Sequence, residues 1–526
     1  MEKIIKLVKP TFSLVTEELW GLLVYLRQIL RFLTIYTLKF LYYPHASEHR
    51  GHDFDNTDDY LYMPEFHSAK KQIYHETVSL SALITIFFIG WVIAIRFIFD
   101  ISILVLVSGA IAFFYFTFIV FKIWVVHKGA RYPLIDFSRT QIAAIKEEDL
   151  PMYTIFIPLL HEAEVIGQIK DAMTAIDYPK NKLEYLITLE EHDKETREAI
   201  EDAHLPANFR VVTLPDVQPK TKPKALNVAI NQARGEYAVI YDAEIIPDTD
   251  QLKKAYLAFK KYPEVGALQV RLDHYNADQN ILTRLFNAEF AFYYDLFLPG
   301  LQRLGFPIPL SGHSTHFRTN VLKSIGAWDP YNVTEDCDIG IRLYRQGYET
   351  GMLNSTSFEE ATSTIDAWIP QRTRWMKGFI QTSIVHLRHP MRFKRELGGW
   401  KSFIAFLYIV PGTIVLNLLN FGSWATQFIW FTTEAPFIQR LYPPVVLYLS
   451  MASFIAGSFV FMYMNLLAVY RRRKYHLVKY VIFTPIYWTL LAIATLRAVV
   501  QVVRSPHTWE KTQHGSHLKS GAHKSV

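Results

Sequence analysis

The sequence predicts an α/β domain set between groups of membrane-spanning helices, and three observations predict it. Long uncharged apolar runs cluster towards the two ends of the chain. Between them, from Pro151, short β-rich runs alternate with amphipathic helical ones. The composition fits both: half of the residues are hydrophobic, 15% aromatic and only 20% charged. Mean hydropathy lies near zero because apolar ends are averaged with a polar middle. The 37 Phe, 30 Tyr and 11 Trp exclude a disordered chain. The single cysteine, Cys337, excludes a disulfide scaffold and thiolate-ligated zinc or iron–sulfur sites. With 55 Lys and Arg against 49 Asp and Glu, the net charge of +6 is too small and too dispersed to argue for nucleic acid.

The first 45 residues space Glu17, Glu18, Arg27, Arg31 and Lys39 through an apolar, aromatic run. That pattern is an amphipathic helix lying in the interface, not a cleaved leader or a span. Residues 77–95 and 101–121 carry no charge, with Asp100 between them. Each has about the 20 residues that cross a bilayer core, so they read as a helical hairpin. Three more uncharged runs follow residue 400, at 403–433, 441–470 and 480–496. Lys122, Lys128, Arg131 and the run Arg471-Arg472-Arg473-Lys474 place residues from about 127 to 400 on the cytoplasmic side. Three crossings after residue 400 put the C-terminus outside, which conflicts with a basic, His-rich tail. The expectation is that 403–433, with its internal Pro411-Gly412, is partly interfacial or re-entrant and that the tail is cytoplasmic. The divisions are 1–76 interfacial, 77–127 transmembrane hairpin, 128–400 cytoplasmic domain, 401–505 membrane helices and 506–526 tail.

In the polar middle, strands are expected at 153–158, 183–189, 209–214 and 237–242, with helices at 164–175, 194–203 and 224–234. Strands separated by helices of this length imply a mostly parallel sheet. Ligands of such sheets sit beyond the carboxyl ends of the strands. His161-Glu162, Glu190-Glu191 and Asp242-Ala243-Glu244 are therefore site candidates. No Gly-rich dinucleotide or P-loop motif follows any strand.

Three constellations carry chemistry. Asp242 and Glu244 close an apolar strand, and in extended chain residues i and i+2 point to one side. They form either a solvated turn pair or a seat for a hard divalent cation. Thr334-Glu335-Asp336 precede a helical run at 339–346; they are helix caps, or they include a base that works against the helix dipole. On a helix, Gln371, Arg374 and Trp375 share a face. That face is a polar recognition surface for a diphosphate and a sugar ring, or the anchor of an interfacial helix.

In this order, between membrane segments, Asp242-x-Glu244, Thr334-Glu335-Asp336 and Gln371-x-x-Arg374-Trp375 resemble the D-x-D, T-E-D and Q-x-x-R-W motifs of membrane-integrated family 2 glycosyltransferases, the group of cellulose, hyaluronan and curdlan-type synthases. Ile157-Pro158…Glu162, Asp177-Tyr178-Pro179 and Thr221-Lys222-Pro223-Lys224-Ala225-Leu226-Asn227 are similar to further elements of that group. The resemblance covers residues 150 to about 390. It implies a GT-A domain, cytoplasmic at the cell membrane, that moves a hexose from a nucleotide-diphospho-sugar to a β-linked glycan in an inverting displacement. It implies Mg²⁺ or Mn²⁺ on Asp242 and Glu244, with Asp336 as the base and Glu335 beside it. Pro158, Glu162, Glu190 or Glu191, Lys222, Asp242 and Arg374 then hold the donor. Gln371, Trp375, His313 and Ser314 hold the acceptor. Processive export of the glycan, with secretion or accessory subunits, belongs to the same expectation; transfer to a lipid-linked acceptor or a catalytically idle scaffold are the alternatives.

Three departures stand out. Glu244 replaces the usual Asp, and Pro309-Leu310-Ser311-Gly312-His313-Ser314-Thr315-His316-Phe317-Arg318 fills the place of the cellulose synthases' Cys-containing acceptor loop. Trp509-Glu510-Lys511-Thr512 only loosely resembles the W-G-T-R element of hyaluronan synthases.

Overall fold

The computed structural model describes residues 68–69, 103–434, 436–508 and 510. The interfacial helix expected in 1–45, the apolar run 77–95 and the tail after Glu510 lie outside the described residues.

Strands β1 (Tyr153–Leu159), β2 (Leu183–Glu190), β3 (Phe209–Leu214), β4 (Tyr237–Ile240), β5 (Ile246–Pro247), β6 (Val265–His274), β7 (Thr315–Arg318) and β8 (Glu349–Glu359) form one mixed sheet. Their order is β3-β2-β1-β4-β7-β6-β8-β5. The β1–β2, β2–β3, β1–β4 and β6–β8 pairs are parallel, and β7 runs antiparallel to both β4 and β6. With β5 antiparallel to β8, six of the eight strands point one way. The carboxyl ends of β1, β2, β4 and β8 therefore share one edge with the start of β7. This is why residues far apart in sequence meet there.

Alternation along β1 splits the core into two layers. Ile155 and Ile157 face a cluster with Ile166, Met173, Leu252 and Phe259. Phe156 faces a second cluster that runs without a break from Leu226 and Ile240 to Phe121, Val125, Phe406 and Ile409. The α/β domain and the apolar helices are thus packed into one core.

The helices that matter for the site are α1 (Ile103–Ala130), α2 (Lys222–Ile230), α3 (Ile281–Phe292), α4 (Leu298–Leu304), α5 (Glu335–Arg345), α6 (Ile365–Leu387), α7 (Trp400–Ile409), α8 (Pro411–Thr433), α9 (Pro444–Arg471) and α10 (Thr484–Arg504). Among the described residues, three helices are long and apolar enough to cross a membrane, or four with the α7–α8 pair. That pair bends by 42°, at Pro411-Gly412 as expected. Outward-facing Phe113, Phe428, Phe431, Val445 and Phe459 are more than 60% exposed, a surface suited to lipid.

The last apolar run is longer than its sequence suggested and extends over Tyr475–Arg504. Both of its ends are tied to the α/β domain. Before it, Arg472 pairs with Asp295 at 2.7 Å and Lys474 with Asp273 at 2.5 Å. After it, Lys377 of α6 donates to the Thr508 carbonyl at 2.6 Å. Two basic residues read as interface charges are therefore held by buried carboxylates instead.

At the seam between α1 and α4, Gly129 and Gly300 lie against each other's helix. A Cβ on Gly129 would overlap the Leu296 carbonyl, and one on Gly300 would overlap that of Val125. Small residues permit this backbone approach, as between membrane helices.

Candidate active site

A cavity of about 370 Å³ opens along the shared strand edge and runs to the apolar helices. Pro158, Glu162 and Glu190 line its strand side, together with Lys222, Asp242 and Glu244. His313, Glu335, Asp336, Gln371, Arg374 and Trp375 complete the set of expected residues within it, while Lys122, Phe292, Phe297 and Ile409 close the helix side. The three sequence constellations are thus one site.

Asp242 and Glu244 reach the cavity differently from the expected extended strand. β4 stops at Ile240, and the Ile245 amide donates to the Asp242 carbonyl at 3.0 Å, so the two acids sit in a turn. Asp242 is paired with Lys222, whose ammonium also donates to the Gly312 carbonyl at 2.7 Å. Burial, then the neighbouring Asp242, pushes the Glu244 carboxyl up to about 8. Glu359, at the end of β8, is raised by burial and then by Glu244; His313 Nε2 lies 3.1 Å from it and His274 Nε2 3.3 Å.

The cavity holds nine carboxyl groups against five Lys and Arg side chains. That excess of hard carboxyl oxygens, crowded enough that Asp242 raises Glu244 and Glu244 raises Glu359, fits a divalent cation of the Mg²⁺ or Mn²⁺ type. Another cluster, Glu190, His192 and Asp216, brings ligand atoms within 4.8 Å of one another. Its acids are already balanced, Glu190 by Lys224 at 2.9 Å and Asp216 by Lys220 at 2.7 Å.

Helix α5 begins earlier than expected, so Glu335 and Asp336 occupy its first turn. Thr334 makes no side-chain cap, while Asp336 Oδ1 accepts from the Cys337 amide at 2.7 Å. The dipole argument predicts a lowered carboxyl pKa here, and burial overrides it. Burial raises Asp336, and burial followed by the Asp336 charge pushes Glu335 up to about 8. Arg374 lies in the field of both acids and of Asp242 and Glu244. Gly312 comes so close to Asp336 Oδ2 that its own Cβ would stand 3.0 Å away.

On α6, Gln371 Oε1 accepts from Thr362 Oγ1 at 3.0 Å. Trp375 packs edgewise on Phe286, with ring centroids 6.2 Å apart, and the Arg372 guanidinium lies 4.3 Å from the indole centroid. Arg372 is itself held by Glu289 at 2.9 Å. The helix is not a surface anchor: it lies along α10, where the Trp368 and Tyr487 rings meet at 5.0 Å.

Three expected residues fall outside the cavity: His161 is exposed beside Asp193, 3.4 Å away, and the others are Glu191 and Ser314. Glu191 is exposed beyond β2, and Ser314 is buried with φ of 57°, its amide donating to the Ile240 carbonyl at 2.6 Å. The segment read as an acceptor loop ends in strand β7, where His316 is structural, bonded to Tyr153 at 2.6 Å and Gln251 at 3.1 Å. Asn227 likewise clamps the Trp328 backbone, at 2.8 Å and 3.1 Å. Sequence reasoning missed Glu359, Glu360, Glu289 and Lys122. The first two carried a signal, a pair of acids at a strand's carboxyl end; Glu289 carried none.

A family model described as glycosyl transferase family group 2 matches residues 237–499. A probable glycosyltransferase of Bacillus subtilis, YdaM, is 24% identical over 393 residues, which cover 71% of this chain and 89% of that protein. A beta-monoglucosyldiacylglycerol synthase of a Synechocystis species is 28% identical over 287 residues, covering 53% of this chain and 58% of that one. Among solved structures, a mannosyltransferase from Pyrobaculum calidifontis, in complex with GDP-mannose and Mn²⁺, aligns with a TM-score of 0.48 and 18% identity over 75% of this chain and 99% of that one. The family match takes in half of the chain and every acid, amide and indole of the three constellations, and the chain belongs to glycosyl transferase family group 2.

Proposed function

We propose that the chain transfers a sugar, with inversion, from a nucleotide-diphospho-sugar of the UDP type to a growing β-linked glycan at the membrane face of the cell. The observation that carries this reading is the meeting of Asp242, Glu244, Asp336, Gln371, Arg374 and Trp375 in one cavity between strand ends and apolar helices.

Pro158, Glu162 and Glu190 border the nucleoside end, and Lys222 and Arg374 face the diphosphate. Asp242 and Glu244 would hold a divalent ion, which would supply charge neutralisation for the departing diphosphate. Asp336 accepts the proton of the acceptor hydroxyl as that oxygen attacks the anomeric carbon, a role its burial-raised pKa suits. Gln371 and Trp375 hold the acceptor ring over the base. Water is kept from the helix side by Phe292, Phe297 and Ile409.

The tied ends of 475–504 support one topology. A helix fastened to one domain at both ends does not traverse the bilayer, so the bent α7–α8 pair and α9 form one out-and-back excursion. The chain then ends on the domain's side, the cytoplasmic one by its basic residues. This reading agrees with the expected cytoplasmic tail and makes 475–504, which has the length and apolarity of a span, the segment that stays on one side, while the bend in 400–433 equally fits the re-entrant segment expected there.

A lipid acceptor is a second reading, favoured by the apolar helix end of the cavity and by the cyanobacterial relative whose name is that of a diacylglycerol glycosylating enzyme. Incubating purified protein with a panel of radiolabelled UDP-sugars decides between them. A polymer cut by a linkage-specific glycosidase supports the first reading, and label in the organic phase the second. UDP release with no glycosylated product overturns both.

A further inference from the structure

We infer that α6 carries the acceptor platform and the general base as one unit, with Gly378, Gln381 and His386 as the positioning residues that set their spacing. The inference rests on the reading of Asp336 as base. Arg374 and Trp375 line the cavity. The next turns of the same helix grip the segment 332–338, which presents Glu335 and Asp336.

The grip is steric at one end and polar at the other. A Cβ on Gly378 would overlap Oγ1 and Cγ2 of Thr334, the residue before Glu335. Gln381 Oε1 accepts from the Val333 amide at 2.9 Å, and its Nε2 donates to the Pro506 carbonyl at 2.9 Å. Asn332 Nδ2 donates to Thr382 Oγ1 at 3.1 Å. Two residues beyond Asp336, Asp338 meets His386 Nε2 at 3.0 Å and accepts from Arg342 Nε at 2.7 Å.

The imidazole's state follows from its neighbours. Arg345 Nη1 lies 2.9 Å from His386 Nδ1, and a guanidinium only donates. Nδ1 is therefore the acceptor, and the ring proton sits on Nε2 facing Asp338. Burial pushes the His386 pKa down to about 4, so the imidazole is neutral at working pH. Gln381, Asp338 and His386 are all buried, and a buried network with its roles filled defines one arrangement.

Ordinary helix packing and positioning differ in what a substitution moves. Apart from Arg374, the donor contacts come from the strand ends and from Lys222, away from α6, so loss of positioning lowers turnover far more than nucleotide binding. The test uses the full chain in detergent, with turnover read as UDP release in the presence of acceptor and binding as the Kd for UDP with Mn²⁺. In Gly378→Ala, kcat is expected to fall by at least about tenfold, as small misplacements do, with Kd within about twofold of the parent. Adding Thr334→Gly clears the overlap and restores part of that loss. His386→Leu loses at least about tenfold in kcat, whereas His386→Gln, which keeps one donor and one acceptor, retains most of it.

Parental kcat in Gly378→Ala overturns the inference. So do equal losses in His386→Leu and His386→Gln, or a loss of UDP affinity in step with kcat. Full turnover in Asp336→Asn removes the base assignment and the positioning with it. Loss there beside parental turnover in Gly378→Ala removes the positioning alone.

Discussion

The two walls of the cavity are built by different means. The strand wall takes its groups from the ends of β1, β2, β4 and β8, the start of α2 and the segment before β7, and its charges answer one another: Lys222 with Asp242, His313 with Glu359, and Glu190 with Lys224, buried behind the wall. The helix wall is built chiefly by α3 and α6, with Phe286, Phe290, Phe292, Trp375 and Phe379 as its aromatic part and Lys122 of α1 and Ile409 of α7 at its margin, and Arg372 pairs with Glu289 within it. On the first wall topology alone fixes the meeting point, because parallel strands end on one edge. On the second, positions depend on how closely helices approach, and glycines decide that. Donor handling should therefore fail by loss of charge, and acceptor handling by loss of shape.

The largest expected effect sits where the walls meet. Asp336→Asn should lower turnover by about 10³-fold while UDP affinity barely changes; full activity would detach the base from both walls. On the strand wall, Glu244→Gln should weaken Mn²⁺-dependent donor binding by about 10–100-fold in calorimetry, and chelation followed by Mn²⁺ should abolish and then restore transfer. Turnover that persists in chelator breaks the charge side of the contrast. Trp375→Ala should raise the acceptor KM by about tenfold, the value of a lost stacking contact, and leave UDP binding alone. An equal loss of both would erase the distinction between the walls.

A smaller effect is readable in stability. Glu244 and Glu335 have folded pKa values of about 8 against an ordinary 4.5, so the folded protein holds more protons than the unfolded chain between those pH values. Stability contributed by their protonation is present at low pH and is lost as pH rises towards 8. Mn²⁺ should relieve this, so its increment in Tm should grow from pH 6 to pH 8; a constant increment would free Glu244 from the ion. Smallest for catalysis is Gly300→Ala, which should lower stability by about 1–3 kcal/mol in denaturant melts through overpacking at the α1–α4 seam. Transfer by the folded fraction should change little.

Much of the strand wall was legible in the sequence. Tyr-Thr-Ile-Phe-Ile and Tyr-Ala-Val-Ile are β-branched or aromatic runs, and the acids that close them stand out. What escaped depends on pairing across the sheet. β7 is four residues with a His inside, a strand only because Tyr153 and Gln251 satisfy His316. The acids of Asp242-Ala243-Glu244 were visible, but not the turn that replaces the extended chain. On the helix wall the motif Gln371…Trp375 was legible, yet Glu289 looked like any helical acid. The run 480–496 reads as a span by composition and keeps the length and apolarity of one in the structure, whereas the salt bridges of Arg472 and Lys474 and the return of residues 505–508 onto α6 left no mark in the sequence.

The paired glycines of α1 and α4 make the joint between catalytic domain and apolar helices a weld, not a hinge. Backbones in direct contact, with no side chain between them to slide, transmit displacement instead of absorbing it. Swinging the domain away from the helices would have to part those backbones, so opening the cavity along this seam would cost the closest packing in it.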